Sequence, residues 1–373
     1  MIKYLTIIIL GLLLPIKVLA AINVLVAAPQ SGVYRQFGQE LAEGVKIAAQ
    51  DINNRGGLLG QKINVIIADD RCNDVFAVSM AQMLGVNINK DDRLNLIIGP
   101  FCMNKISEVA DIYAKSQINQ IIPMPINDDL QNFNGAYPLQ IAGSQSNQAK
   151  VFYEYYRKNL QGKKVALVYD SNKSQTVWLS RQMQKEFAND KNLKMVDLYD
   201  VATYGNDLAQ ATKEIISKNE AVYLNLSAKK TAKLTRKIKE QNSKIAVFTD
   251  LYKVNDDYKR IIGGYVDGNY YLGLKDFKDR TYFTEILVKL RLQGLEPVGL
   301  GVYGFASLNL WAQIADRAQS LNYINWQQKA QKERFMMPWG EVSFGSKAEI
   351  INKDNAMVYG IFVNRGGEYT QVY

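Results

Sequence analysis

The sequence predicts an α/β protein of two lobes, each a mostly parallel sheet flanked by helices, and three observations predict it. The chain has 373 residues, more than one hydrophobic core sustains. It is 47% hydrophobic and 22% charged, an ordinary globular balance that excludes extended disorder. Its short apolar runs alternate with segments of helical spacing in two successive strand-helix series, the pattern of parallel sheets covered by helices.

In chain order, Lys3 precedes an apolar run from Leu5 to Leu14, followed by Pro15 and by Val18, Leu19 and Ala20. A short apolar segment ending in small residues reads as a secretory signal peptide over residues 1–20. An uncleaved anchor is the alternative, although the run is short for a bilayer. No cysteine lies nearby, so lipid anchoring at a processed Cys is not expected.

Residues Ile22 to Ala28 are apolar but for Asn23, up to Pro29, as in a strand buried on both faces. The following helix places Leu41, Val45, Ala48, Ala49 and Ile52 on one face and stops at Gly56 and Gly57. Further strands are expected at Ile63 to Ala68, Asn95 to Ile98 and Gln120 to Met124. The first series ends near Gly143, and a helix is expected over Gln148 to Leu160. A second series has strands at Val165 to Tyr169, Met195 to Tyr199, Ala221 to Leu226 and Ile245 to Thr249. A strand at Asn269 to Leu274, helices at Tyr282 to Leu292 and Tyr303 to Ala318, and strands at Gly340 to Phe344 and Met357 to Val363 complete the chain. Arg365, Gly366, Gly367 and Glu368 make a hairpin turn. These late elements return to the two series, so both lobes are discontinuous.

The 45 Lys plus Arg exceed the 36 Asp plus Glu, but the excess is dispersed, and no nucleic-acid partner is expected from it. The sequence contains no histidine, which removes Ser-His-Asp triads, Cys-His pairs and histidine metal sites. No phosphate-binding glycine motif follows a strand, and the glycines at 299, 301 and 304 read as a helix entry. Asp69 with Asp70 and Asp128 with Asp129 are adjacent pairs whose side chains diverge, and they read as solvated turn acids rather than as a metal or paired-acid site. The basic segment Lys229 to Lys239 reads as a solvated helix face, with docking to an acidic partner as the alternative. No enzyme, metal or cofactor is expected.

Export makes the two cysteines, Cys72 and Cys102, candidates for a disulfide rather than reactive thiols, with two buried free thiols as the alternative. In the chain-entropy model, closing a loop of about thirty residues stabilises a fold by roughly 3.6 kcal/mol.

Ligands of open parallel sheets bind beyond the carboxyl ends of the strands. That rule selects Ser31 and Gly32 with Phe37; Met103, Asn104 and Lys105; Pro125, Ile126, Asn127 and Asp128; Ser171 to Ser174; Ser227; and Asp250, Leu251 and Tyr252. These loops mix aromatic, hydroxyl and a few acidic groups, which suits a small polar or zwitterionic solute.

The run Ala28 to Gly32, then Gly38, then Glu43 to Gly60 resembles the opening of the periplasmic leucine/isoleucine/valine-binding proteins. So do Ala68 to Asp74 and Ile97 to Cys102. The resemblance covers nearly the whole mature chain, more weakly after Val165, and implies a type I substrate-binding protein of an ABC transporter. It implies a disulfide at the two cysteine positions and two lobes joined by three crossovers, placed near Gly143, Gly273 and Trp339. The first lobe is then 21–143 plus 274–338, and the second 144–273 plus 339–373.

It also implies a periplasmic solute receptor that delivers its ligand to ABC transporter permease subunits. A sensory or regulatory protein acting through a protein partner is the alternative on the same fold. At the site, the family's hydroxyl contacts to a ligand carboxylate are replaced by Met103 and by Pro125 with Ile126. Positions of family tyrosines fall at Ser174 and Ser227, the acidic partner for the ammonium at Asp250, and Phe37 keeps an aromatic ring beside the ligand. Each hydrogen bond lost from a charged group costs roughly 1.5 to 3 kcal/mol. The expected ligand is therefore not a standard branched-chain amino acid, or is held differently.

Overall fold

The apolar run after the signal segment forms β1 (Ile22–Ala27), with every residue buried, as a strand covered by helices on both faces requires. The structure, a computed structural model, describes residues 21–86, 93–102, 106–125, 137–188, 196–205, 207–275, 281–294, 299–352 and 359–373. The expected signal peptide lies outside them. No helix among the described residues is long and apolar enough to cross a membrane.

In the first series β1 leads to α1 (Arg35–Asn54), β2 (Ile63–Ala68), α2 (Asp74–Val86), β3 (Leu94–Ile98), α3 (Ile106–Lys115), β4 (Asn119–Ile122) and the short β5 (Leu139–Gln140). These strands form one parallel sheet in the order β2-β1-β3-β4-β5. Leu41, Val45, Ala48, Ala49 and Ile52 of α1 are buried against it, as their spacing predicts. The disulfide between Cys72 and Cys102, with Cα atoms 4.7 Å apart, joins the loop after β2 to the loop after β3.

The second series runs α4 (Gln145–Asn159), β6 (Val165–Tyr169), α5 (Ser174–Ala188), β7 (Val196–Asp200), α6 (Leu208–Lys218), β8 (Ala221–Leu224), α7 (Ala228–Gln241), β9 (Ala246–Asp250), α8 (Asp256–Ile262) and β10 (Tyr270–Leu274). The chain then gives α9 (Thr281–Leu292), α10 (Leu300–Ala318), α11 (Tyr323–Lys332), β11 (Phe335–Met337), β12 (Gly340–Phe344), β13 (Ile350–Asn352), β14 (Tyr359–Arg365) and β15 (Glu368–Gln371). The second sheet has the order β15-β14-β10-β9-β8-β6-β7, and β14 and β15 are its antiparallel members. The expected hairpin at Gly366 and Gly367 joins those two strands.

One boundary moves. Residues from Trp339 onward were expected in the second lobe, but β11, β12 and β13 form a small antiparallel sheet whose Phe335, Met337, Trp339, Val342 and Phe344 are buried in the first lobe's core. Trp339 stacks on Tyr303 of α10 at 4.7 Å, and Glu349 forms a bridge to Gln140 in β5. The chain therefore returns to the second sheet after Asn352. The apolar side chains of this hairpin match the first core, and alternation alone carries no information about which core a strand joins.

α10 packs on α1 nearly backbone to backbone. A Cβ on Gly44 would lie 1.8 Å from the Gly301 carbonyl oxygen, and one on Gly304 would lie 2.2 Å from that of Leu41. Gly299, at φ +93°, is the N-cap of α10 and so the expected helix entry, while Gly301 and Gly304 lie in the helix's first turns and make room for α1. α7 buries Ala232, Leu234 and Ile238 and turns its lysines outward. On that helix Lys230 pairs with Asp170 at 2.6 Å and Arg236 with Glu240 at 2.9 Å, so part of its charge is matched within the chain.

Gly44→Ala should force the two helices apart and lower unfolding free energy by about 1–3 kcal/mol, read as a reduced urea midpoint. Gly264→Ala, whose Cβ meets nothing within 4 Å, should change it little. Equal midpoints for both variants would contradict the backbone-contact account.

Candidate functional site

Where the carboxyl ends of the two sheets face each other lies a cleft of about 520 Å³. Its first-lobe wall is Tyr34, Pro100, Phe101, Met124, Pro125 and the disulfide; its second-lobe wall is Gln145, Gln148, Asp250, Tyr252, Lys253 and Tyr359. Strand ends and helix starts place nearly all of them, as the topology of parallel sheets dictates.

Two carboxylates, one buried and one half-buried, organise the region. Asp70 is fully buried: one oxygen accepts from the Cys72 N–H at 2.9 Å and the other from the Phe101 N–H at 2.9 Å. Burial pushes its carboxyl above the usual range, against the pull of hydrogen bonds from Cys72, Phe101 and Cys102. This corrects its reading as a solvated turn acid: Asp70 ties together the same two loops as the disulfide. Asp69 is different. Its modest burial would raise the carboxyl, but bonds from the Ser31 hydroxyl at 2.6 Å and the Gln30 N–H at 2.9 Å, with the Arg71 N–H, hold it low. Asp128 and Asp129 lie outside the described residues.

Asp250 ends β9 on the cleft floor. One oxygen accepts from the Tyr252 N–H at 2.9 Å and the other from the Gln148 amide at 3.2 Å. That amide also donates to the Tyr223 hydroxyl at 3.1 Å. Burial raises the Asp250 carboxyl above its ordinary range, while Lys253, the Tyr252 N–H and Gln148 pull it down. The buried hydroxyls of Tyr252 and Tyr359 are pushed up by burial first, and the Asp250 charge adds to this.

An aromatic cluster forms the facing wall. Phe37 stacks on Phe101 at 6.2 Å, meets Tyr252 edge-on at 5.9 Å and lies 6.4 Å from Tyr34. Tyr34 and Phe101 come from the first lobe and Tyr252 from the second, so the cluster spans the cleft. Burial and then the Asp250 charge raise the Tyr34 hydroxyl, while Asn255 of the second lobe pulls it down. A further link is the Lys259 ammonium donating to Gln36 at 3.4 Å.

Of the residues singled out from sequence, Pro125, Asp250 and Tyr252 line the cleft together with both cysteines. Phe37 sits behind the lining, backing Tyr34, Phe101 and Tyr252. Ser31 is exposed and donates to Asp69; Ser227 is exposed at the N-cap of α7. Neither is among the residues lining the cleft. Ser174 opens α5, and its side chain is outside the described residues, as are Met103, Asn104, Ile126 and Asn127. Sequence reasoning missed Tyr34, Gln148 and Tyr359. Gln148 begins the expected helix but has no motif around it, and Tyr359 opens the antiparallel β14 where the chain returns to the second sheet.

A family model described as periplasmic binding protein matches residues 21–349. An amino acid binding protein of Pseudomonas aeruginosa is 28% identical over 294 residues, 78% of this chain and 77% of that one. The Leu/Ile/Val-binding protein of Escherichia coli is 29% identical over 149 residues, 40% of this chain and 39% of that one. Among solved structures, a leucine binding protein from Thermotoga maritima superposes with a TM-score of 0.77 at 17% identity, covering 95% of this chain and 98% of that one.

Because the folded-state pKa of Asp250 is raised, the native protein holds that proton more tightly than the unfolded chain. Its effect on stability is most favourable below the ordinary carboxylate range and is lost as pH rises through the raised value. Asp250→Asn should therefore raise the melting temperature of the ligand-free protein at pH 7 relative to wild type, with the difference shrinking toward pH 4. A constant difference across that range would show that ionisation of Asp250 is not its origin.

Proposed function

The chain belongs to the periplasmic binding protein family, in the Leu/Ile/Val-binding group that its sequence resembles, and on that premise we propose that it is the extracytoplasmic solute receptor of an ABC importer. Its ligand is an amino acid or a related small polar organic solute, held between the lobes and handed to permease subunits at the membrane. Residues 1–20 serve as the export signal, and the mature protein works in the periplasm without a lipid anchor.

The observation that carries this reading is the cleft itself: a cavity of about 520 Å³ between two separately cored lobes, with the half-buried Asp250 carboxylate and an aromatic wall. Such a space fits a small molecule with one charged group and an apolar body. Binding needs only a difference in affinity between open and closed arrangements, because a ligand touching both walls shifts the population toward closure. The lobes already meet at the Tyr34–Asn255 and Gln36–Lys259 contacts. In this reading Asp250 neutralises a cationic group, Gln148 orients that carboxylate, and Phe37 supports the rings that cover the ligand's apolar part. No step of bond making is assigned.

Native mass spectrometry of the mature protein, gently purified from its own cells, should reveal one discrete small-molecule adduct that denaturation releases. Empty protein that also gives no thermal shift with amino acids or organic acids would overturn the receptor reading.

A further inference from the structure

The positive excess of the chain, read from the sequence as dispersed, has one concentration. α7 carries Lys229, Lys230, Lys233, Arg236, Lys237 and Lys239 against the single acid Glu240. Its buried side, with Ala232, Leu234 and Ile238, packs against α6 and α8 and the second sheet, so helical spacing sends the cations to the opposite side. Lys229, Lys233 and Arg236 are exposed and follow one another in a single row. Lys230 and Lys237 flank that row on one side and Lys239 on the other.

Little within the chain neutralises this face. Lys230 pairs with Asp170 and Arg236 with Glu240, but among the described residues Lys229, Lys233 and Lys237 form no ion pair. The neighbouring helices offer no acidic surplus: α8 has Asp256 and Asp257 with Lys259 and Arg260, and α6 has Lys213 and Lys218 with Glu214, which accepts from the Tyr204 hydroxyl at 2.7 Å.

At its C-terminal end the row continues into a groove. The Arg236 guanidinium lies 5.8 Å from the centre of the Tyr265 ring, which is 38% exposed. Tyr265 lines a groove of about 610 Å³ with Lys163, Lys239 and Lys244. Lys239 donates to the Ser243 and Ile245 carbonyls at 3.2 and 2.8 Å, while Lys163 and Lys244 are exposed. Asp267, the acid of this groove, accepts from the Gly366 N–H at 2.9 Å. None of these residues lines the cleft between the lobes.

The chemistry of the patch selects its partner. A protein interface is centred on a buried apolar or aromatic core, and the row on α7 exposes no large apolar side chain. Lysines are flexible point charges that accept many arrangements of anions, without the fixed fork of an arginine. A row of them with a tyrosine at its edge matches a layer of phosphate headgroups, which attracts cations collectively and takes an amphipathic ring at its boundary.

We propose that the outer face of α7 and the adjoining groove dock on an anionic phospholipid surface, holding the protein close to a membrane without inserting into it. The proposal rests on the export reading above and is independent of what the cleft binds.

The test mixes the mature, disulfide-intact protein at low salt with vesicles of equal parts phosphatidylglycerol and phosphatidylcholine, or of phosphatidylcholine alone, and measures bound protein by flotation. Wild type should bind the anionic vesicles only, and more weakly as salt is raised. Each lysine near such a surface strengthens binding by about fivefold, so Lys229→Gln, Lys233→Gln and Lys237→Gln together should weaken it by about a hundredfold. Lys115→Gln, Arg291→Gln and Lys332→Gln, exposed positions on the first lobe, remove the same charge and should weaken it by less than about fivefold; melts confirm that both triple variants fold. Equal losses in the two variants would assign the effect to net charge and overturn the proposal, as would equal binding to both kinds of vesicle or to neither. Wild type retained on an immobilised acidic protein but not on anionic vesicles would overturn it in favour of a protein partner. Each of these failures leaves the receptor reading standing, because that reading is tested by the adduct in the cleft.

Discussion

The close approach of α1 and α10 is the contact on which the rest of the molecule depends. Gly44 lies against the Gly301 carbonyl and Gly304 against that of Leu41, so two helices from distant parts of the chain meet without side chains between them. That meeting closes the first lobe from a discontinuous sequence and fixes the axis of α1. At the N-terminal end of α1, Gly38 packs on the Pro29 carbonyl, where a Cβ would lie 1.9 Å away. The turn that carries Tyr34 and the first helical turn that carries Phe37 are thereby pinned over the cleft. The aromatic wall is a consequence of glycine packing at some distance from it.

Asp70, buried, and Asp250, half-buried, are carboxylates whose pKa values are both raised, yet their surroundings assign them opposite parts. Asp70 faces backbone N–H groups from two loops and is satisfied within the protein, so it behaves as a second strap beside the Cys72–Cys102 bond. Asp250 has two donors and open space in front of it. An ionised group in that position retains a desolvation cost that a cationic partner would offset. The strap that satisfies Asp70 takes up the Cys72 and Phe101 N–H groups of the facing wall, where Tyr34 and Asn73 also line the cleft.

Much of this architecture was legible in the sequence because its information is local and periodic. Runs such as Ile22 to Ala27, apolar but for Asn23, fit strands covered on both faces, and the spacing of Leu41, Val45, Ala48 and Ile52 fits one helix face. Two cysteines in a chain read as exported, and the alternation of strands with helices, pointed to the disulfide and the two lobes. The short β5, β11 and β13 left no pattern because two or three residues carry no period. The site was less legible. Pro125, Asp250 and Tyr252 were found from the rule of strand ends, whereas Tyr34 and Tyr359 belong to the cleft through tertiary placement alone, and Ser31 satisfies a neighbouring loop acid instead of lining the cleft.

The sequence by itself determined the longer strands, the main helix faces, the lobe count and the family resemblance, since burial pattern and motif spacing are properties of consecutive residues. Only the tertiary structure decided which core receives the hairpin after Trp339, which of two adjacent aspartates is buried, and which donors remain free beside the cleft. Those outcomes depend on contacts between residues far apart in the chain, such as Asp70 with Phe101 and Gln148 with Asp250. An acid's role is set by the groups that surround it in space, and its sequence neighbours supply only some of them.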